Sequence, residues 1–195
     1  ISLTLPTAFK QYNMFVAVCA IALLCFVSVS HSAPVACEEL VRPLDQLDPH
    51  NLEGRWALVT GSLNDSASAE AVKGRDSVTI EFNNSSYTQA NHFGDRCEYY
   101  SHNISKEGNI FNIKVKTFNF TGAFLHTSCS DCLVLRLDVD SPSYKSLDLY
   151  LFSRRREVTQ KVMEDFRAQA ECLNIPPPFV MDPTKELLAP NLSDL

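Results

Sequence analysis

The chain has 195 residues with a formal net charge of −6, and 45% of its residues are hydrophobic. Its longest basic run is the stretch of arginines at 154–156, so the charge argues against nucleic acid and anionic membranes as partners. The sequence contains no evident set of catalytic serine, histidine and aspartate, no Gly-rich phosphate loop and no cluster of metal ligands. We therefore expect no enzyme, no catalytic residues, no bound metal and no cofactor.

The N-terminal region predicts a secretion signal. Residues 1–13 hold no targeting signal, and Met14 then opens an apolar run of about 15 residues, which suits a signal-peptide core and is short for a membrane span. We expect residues 1–13 to be an upstream segment that is not native, and residues 14–33 to be a signal peptide cleaved after Ser32 or Ala33. The alternatives are a genuine longer leader or a leader retained as a lipid anchor. The mature protein is expected to be secreted, extracellular and without a transmembrane segment.

The rest of the chain predicts one glycosylated domain followed by a tail. Residues 34–176 are enough for a single domain with its own core, and residues 177–195 form a Pro-rich C-terminal tail that we expect to lie along the surface. Six Asn-x-Ser/Thr sequons predict N-glycosylation of a secreted chain. They are at Asn64, Asn83, Asn84, Asn103, Asn119 and Asn191.

Eight short segments predict β-strands at even spacing. Each alternates apolar and polar residues or forms a short apolar run, and turn residues bound it. The predicted strands are 56–63, 77–82, 87–93, 97–103, 109–118, 121–128, 132–138 and 146–152. The segment 64–75, between the first two strands, is predicted as a loop. Eight strands joined by short connections predict an all-β, up-and-down antiparallel barrel, whose closure removes both sheet edges.

One C-terminal α-helix is predicted after the last strand. Thr159 is the expected N-cap, and apolar residues from Val162 to Leu173 recur at helical spacing on one stripe. The helix must end before Pro176 and the two prolines after it. We predict that its apolar stripe packs on the outside of the barrel.

Strand parity selects the side chains that should face the barrel lumen. In the last strand we assign the leucines at 147, 149 and 151 to the side under the helix, so the alternate residues point inward. A sugar on Asn103 must face outward, which turns the alternate residues of that strand inward, and on strand 109–118 we take the apolar face as inward. The predicted ligand-binding residues are Glu98, Tyr100, His102, Phe111, Ile113, Val115, Asp148, Tyr150 and Phe152.

This predicted lumen combines an apolar wall with a few polar groups, which suits an amphipathic small molecule. One hypothesis is that Glu98 or Asp148 pairs with a cationic ligand such as a guanidinium toxin. The alternative is that both carboxylates lie at the solvated rim and bind nothing, because a carboxylate in a dry lumen is costly without a partner. We expect a monomer whose partner is a small molecule.

The motifs, taken in order, resemble those of the lipocalin family. Gly54 and Trp56 supply a Gly-x-Trp motif at the first predicted strand, and the eight strands and single helix follow it. Segments 37–41 and 171–176 resemble the opening and closing motifs of the orosomucoid (alpha-1-acid glycoprotein) and apolipoprotein M branch, and segment 128–132 is similar to fish members. The chain looks closest to fish plasma proteins that bind saxitoxin and tetrodotoxin, and to a tributyltin-binding protein.

The resemblance implies a lipocalin barrel that carries a small lipophilic or toxin-like molecule in plasma, in the saxitoxin, tetrodotoxin or tributyltin class. The alternative is an orosomucoid-like, immune-modulating acute-phase glycoprotein that acts through its surface. The resemblance also implies structural roles for Gly54 and Trp56, with Arg155 packed over the Trp56 ring, and a disulfide between Cys37 and Cys172.

The sequence does not decide how the remaining cysteines of the mature chain are paired. Cys97 resembles a family cysteine whose partner lies in the C-terminal tail, but this tail contains no cysteine. Cys97 is therefore free, paired with Cys129 or Cys132, or available to a second chain. For the Cys129-x-x-Cys132 pair we favour a structural role over a redox role, because it lies between two predicted strands and not at a helix N-terminus.

Overall fold

The computed structural model describes residues 36–45, 48–83 and 85–187, so the predicted upstream segment (1–13) and signal peptide (14–33) lie outside the described residues. Within these ranges nine strands form one sheet. The strands are β1 (Gly54–Leu63), β2 (Ser77–Phe82), β3 (Ser86–Phe93), β4 (Arg96–Glu107), β5 (Ile110–Val115), β6 (Phe118–Leu125), β7 (Cys132–Ser141), β8 (Tyr144–Ser153) and β9 (Phe179–Val180). The helices of the same ranges are α1 (Cys37–Leu40), α2 (Pro49–Leu52), α3 (Ser66–Lys73) and α4 (Gln160–Cys172).

The sheet closes into a barrel through β1. The first part of this strand, 54–57, pairs antiparallel with β2, and the later part, 57–63, pairs antiparallel with β8. From β2 to β8 each strand lies beside its neighbour in sequence. The prediction of an all-β, eight-stranded, up-and-down antiparallel barrel is confirmed.

The tail adds a short strand that the sequence did not predict. β9 pairs with Thr60 and Gly61 of β1, beyond the point where β2 ends its pairing. Gly61 permits this approach, because a Cβ there would lie 2.9 Å from the ring of Phe179. The tail, predicted at 177–195 as a surface segment, therefore joins the sheet at Phe179–Val180, and residues 188–195 lie outside the described part of the chain.

Two local predictions are wrong. The predicted loop 64–75 contains α3, which Asp65 caps by accepting a hydrogen bond from the Ser68 backbone N–H at 2.7 Å. The small residues in 66–73 suggested a loop, but alanine is a strong helix former and the segment forms a capped helix. The predicted strand 109–118 breaks at Lys116, whose φ of 54° places a turn between β5 and β6.

Helix α4 packs on the outside of the barrel, as predicted. Thr159 accepts a hydrogen bond from the Val162 backbone N–H and caps the helix. Phe166 on the apolar stripe packs in one cluster with Leu149 and Leu151 of β8, and both leucines are 0% exposed. Because these leucines face the helix, the alternate residues of β8 face the lumen. No helix in the described ranges is long and apolar enough to cross a lipid bilayer.

Two disulfides are present among the described residues. Cys37 and Cys172 are bonded, as the resemblance implied, and join α1 to the end of α4. Closing so long a loop contributes about 4–5 kcal/mol of stability in the chain-entropy model. Cys129 and Cys132 are bonded in the connection between β6 and β7. Among the described cysteines, Cys97 is the free one, and it is exposed.

The closed end of the barrel is built around Trp56, which is 3% exposed and donates its indole N–H to the Leu52 carbonyl at 2.9 Å. Arg154, and not Arg155, covers its ring, with the guanidinium carbon 3.7 Å from the ring centroid. The prediction for Arg155 is wrong because Phe152 faces inward, so the residue two positions on shares that side. Arg155 instead pairs with Asp131 at 2.6 Å.

Candidate functional site

The barrel is filled at one end and hollow at the other. A core that includes Trp56, Phe82, Phe124 and Phe152 packs the closed end. Above it lies a cavity of about 430 Å³, within the usual range for small-molecule sites. It is lined by inward-facing residues of β3 to β7 and by one residue that precedes β2: Arg75, Tyr87, Gln89, Asn91, Tyr100, His102, Phe111, Ile113, Val115, Phe118, Phe120, Leu135 and Leu137.

A second cavity of about 510 Å³ adjoins the first. The two share Arg75, Gln89, Phe118, Phe120 and Leu137 as common walls. The second cavity extends towards α3 and β8, where Val72 and Tyr144 contribute to its lining. The hollow of the barrel therefore consists of two connected chambers, called below the main chamber and the side chamber.

The structure brings most of the predicted lumen residues together. Tyr100, His102, Phe111, Ile113 and Val115 line the main chamber. Asp148 and Tyr150 line the side chamber. Two predicted residues lie elsewhere: Phe152 is buried in the core of the closed end, and Glu98 lies on the inward face of β4 outside the residues that line either chamber.

Sequence reasoning missed the inward face of β3. Gln89 lies opposite Tyr100, and Tyr87 lies opposite His102, in the antiparallel pairing of β3 with β4. Residues that lie opposite each other on neighbouring strands share a face of the sheet. Once Tyr100 is assigned to the inward face, the register of the β3–β4 hairpin places Gln89 on the same face. The sequence therefore contained enough information to predict Gln89 in the lumen. Arg75 carries no such signal, because it follows α3 outside any strand.

The missed residues form a polar ladder along one wall of the main chamber. The Tyr87 hydroxyl donates to Gln89 Oε1, and Gln89 Nε2 donates to Asn91 Oδ1 at 2.8 Å. Arg75 Nη1 donates to the same Asn91 oxygen at 3.3 Å. Because Oδ1 accepts both of these hydrogen bonds, the orientation of the Asn91 amide is fixed, and its Nδ2 lies on the opposite side of the amide group. Among the described residues, neither Asn91 Nδ2 nor Arg75 Nε has a hydrogen-bond partner.

The phenols around this wall are poor acids. Burial raises the pKa of Tyr87 and of Tyr150 above the ordinary tyrosine value, and the nearby Asp148 charge raises the pKa of Tyr150 further. The hydrogen bond to Glu98 raises the pKa of Tyr100. In all three cases the charge of Arg75 acts in the opposite direction. The lumen thus presents neutral hydroxyl groups around one guanidinium.

The two predicted carboxylates already have partners within the protein. Asp148 is 4% exposed and accepts hydrogen bonds from Ser146 Oγ at 2.6 Å and from the Tyr150 hydroxyl at 3.2 Å. Burial is the main cause that raises its pKa, and these hydrogen bonds oppose that effect. Glu98 lies 3.4 Å from Arg96 and accepts the Tyr100 hydroxyl at 2.9 Å.

Other chemistry on the described surface is limited. Cys129, Asp131 and Cys132 bring potential metal ligands close together, but the disulfide joins both sulfurs and Arg155 pairs with the carboxylate. Four sequon asparagines are exposed, namely Asn64, Asn83, Asn103 and Asn119. Asn84 and Asn191 lie outside the described residues, and glycosylation of all six stays a prediction.

A barrel of this topology, with one helix outside and a hollow end, is the lipocalin fold. The structure is similar to that of lipocalin 12 from rat epididymis, with a TM-score of 0.64 and 16% identity over 77% of this chain and 93% of that chain. It is also similar to the siderocalin Ex-FABP, with a TM-score of 0.57 and 17% identity over 70% of this chain and 96% of that chain. No protein-family model matches the sequence, and no curated protein matches it.

Proposed function

We propose that this protein is a secreted carrier that binds a small apolar or amphipathic molecule in the barrel lumen. The observation that carries the proposal is the main chamber, a hollow of about 430 Å³ above a packed barrel end. Phe118, Phe120 and Leu137 form walls of both chambers, and burying a ligand against them contributes about 0.8 kcal/mol for each methylene group. A role in binding rather than catalysis fits this lining.

A place in the orosomucoid and apolipoprotein M branch is part of the same proposal. Its support is the sequence of segments 37–41 and 171–176, together with the disulfide that joins Cys37 to Cys172 across them. The neighbour Ex-FABP is described as acting through dual ligand specificities. A lumen of two connected chambers is compatible with ligands of more than one shape.

Within the saxitoxin, tetrodotoxin and tributyltin class, the contacts of the lumen carboxylates weigh against a guanidinium toxin. A guanidinium would have to displace Arg96 and Tyr100 from Glu98, or Ser146 and Tyr150 from the buried Asp148. It would also meet the charge of Arg75. Titration of Asp148→Asn and Glu98→Gln variants with saxitoxin or tetrodotoxin tests the guanidinium hypothesis, which unchanged affinity in both variants would remove.

An immune-modulating glycoprotein that acts through its surface is the second candidate. Its support is the exposure of Asn64, Asn83, Asn103 and Asn119, which leaves these sequons open to sugars. Native mass spectrometry of protein purified from its source separates the two candidates. A stoichiometric small molecule supports the carrier, and an empty cavity in every preparation supports the surface role.

The carrier proposal is tested by filling the main chamber. Val115 is half-buried and lines the chamber, whereas Lys114 beside it is exposed on the outer face of the same strand. A neutral fluorescent lipid probe should bind the unaltered protein and the Lys114→Trp variant, and should fail to bind Val115→Trp. The proposal is wrong if the unaltered protein binds no apolar probe, or if Val115→Trp binds as well as Lys114→Trp while both variants keep their circular dichroism spectrum.

A further inference from the structure

The wall of the barrel is interrupted between β4 and β5. Their antiparallel pairing joins 104–107 of β4 to 110–113 of β5 and extends no further among the described residues. β4 continues as far as Arg96 and β5 as far as Val115, but there β4 pairs with β3 and β5 pairs with β6. The gap between the two strands beyond the Ile104–Ile113 pair is called below the split.

A hollow of about 620 Å³ lies at the split. Residues of the outer face of the barrel line it, among them Asn103 and Lys114, which are both exposed. Inward-facing residues line it as well, because Ile113 and Phe120 belong to this hollow and to the main chamber. A continuous sheet separates its two faces, since successive residues point to opposite sides. A hollow lined from both faces therefore lies in an opening of the sheet, and the shared residues place this opening beside the main chamber.

The lining of the split suits the passage of a neutral apolar molecule. Its inner part is apolar, with Ile104 and Ile113 only 8% and 6% exposed and Phe120 beside them. Its outer part is polar and consists of Asn103, Ser105, Asn112, Lys114 and Asn119. A molecule that leaves the main chamber this way keeps apolar contacts until it reaches the surface, so it is desolvated over most of the path.

The end of the barrel above the lumen is partly covered by α3. This helix follows the end of β1 that lies away from Trp56, and its residues Ser68, Ala71 and Val72 line the side chamber. Ser68 Oγ and the Tyr144 hydroxyl form a hydrogen bond of 3.2 Å, which attaches α3 to the start of β8. A ligand that passed under α3 would have to move the helix, whereas the split is already open between its strands.

We propose that the molecule carried in the lumen enters and leaves through the split, which is therefore a side portal of the main chamber. The carried molecule itself occupies the portal, and it passes between β4 and β5 without breaking a paired section of the sheet. Passage elsewhere through the wall would separate hydrogen-bonded strands, which is costly for every buried backbone group left without a partner. The inference rests on the proposed carrier function and adds the route of exchange to it.

Crosslinking the two strands across the split tests the portal. If the pairing of β4 with β5 were extended by one step, Asn103 would lie opposite Lys114, and both side chains are exposed. A disulfide in the double variant Asn103→Cys, Lys114→Cys therefore closes the split. All proteins in the series also contain Cys97→Ser, because Cys97 is free and exposed and would compete for the new cysteines.

The matched control is a disulfide in the paired section of the same two strands. Ser105 and Asn112 lie opposite each other and are exposed, so Ser105→Cys with Asn112→Cys joins β4 to β5 and leaves the split open. Both crosslinked proteins lack the sequon at Asn103, because Ser105 is its third residue. The double variant Asn103→Ser, Lys114→Ser measures the loss of the two side chains without a crosslink.

Stopped-flow fluorescence with Nile red, a neutral apolar dye, measures the exchange. The crosslink across the split should lower both the association and the dissociation rate constant by about tenfold or more. The equilibrium affinity should stay unchanged, because the crosslink alters the route and not the bound state. The control crosslink and the serine variant should keep the rate constants of the Cys97→Ser protein.

The outcomes separate the two proposals. If the crosslink across the split leaves both rate constants unchanged, or if the control crosslink lowers them equally, the portal is wrong and the carrier stands. If Nile red does not bind the unaltered protein, both proposals fall. If mass spectrometry shows that the cysteines at 103 and 114 stay reduced, bis(maleimido)ethane joins them across a wider gap, and the same rate constants decide.

Discussion

Arg154 lies over the ring of Trp56, with its guanidinium carbon 3.7 Å from the ring centroid. The same side chain donates hydrogen bonds to the backbone carbonyls of Asn51 and Arg55, each at 3.2 Å, and to the carbonyl of Glu53. One residue directly after β8 therefore joins the segment before β1 to the start of β1. This contact lies at the packed end of the barrel, opposite the hollow end.

Arg154→Ala should lower the free energy of unfolding by about 2 kcal/mol, because it removes a cation–π contact and leaves backbone carbonyls without a donor. Arg155→Ala is the matched control. Its ion pair with Asp131 is largely solvated, so its loss should cost less than about 1 kcal/mol. Urea unfolding of both variants checks the difference, and a larger cost for Arg155→Ala would contradict this assignment.

The two disulfides should differ in how much they stabilise the fold. Removing the Cys37–Cys172 bridge with two serines should lower stability by about 4–5 kcal/mol, because this bridge closes most of the domain into one loop. The Cys129–Cys132 bridge spans a sequence separation of 3, so its removal should cost much less. Denaturant unfolding measures both. Equal losses of stability would show that the length of the closed loop does not govern how much each disulfide stabilises the fold.

Asp148 should make stability depend on pH in a defined direction. Burial raises the pKa of this carboxyl in the folded protein above its ordinary value of 3.8, so the folded state favours the protonated form. Its contribution to stability is full below pH 3.8 and is lost as the pH rises through the raised pKa. As the pH rises through this range, the free energy of unfolding of Asp148→Asn should therefore increase relative to that of the unaltered protein. Urea midpoints at several pH values measure it, and a decrease would contradict the raised pKa.

Much of the barrel follows from the sequence, because each strand carries its own pattern. The alternation of apolar and polar residues in 77–82 predicts both ends of β2 correctly. The face of leucines at 147–151 correctly predicts that α4 packs outside the barrel. The turn at Lys116 was missed because a residue other than glycine carries the positive φ there. α3 was missed because its small residues were interpreted as a loop, although alanine is the strongest helix former and Asp65 supplies an N-cap.

The polar part of the site was harder to predict, because it depends on pairs of elements. Parity within β4 correctly directs Tyr100 and His102 into the chamber. Gln89 and Asn91 needed the register between β3 and β4. Arg75 reaches the chamber from the end of α3, and only the packing of that helix determines its position.

The central claim, an open lumen that holds a small molecule, is tested most directly by locating a heavy atom. Crystals grown with 12-bromododecanoic acid should show one bromine peak in the anomalous difference map, within the barrel beside Phe118 and Phe120. Bromine peaks confined to the outer surface, or a main chamber filled by the protein's own side chains, would contradict the carrier account.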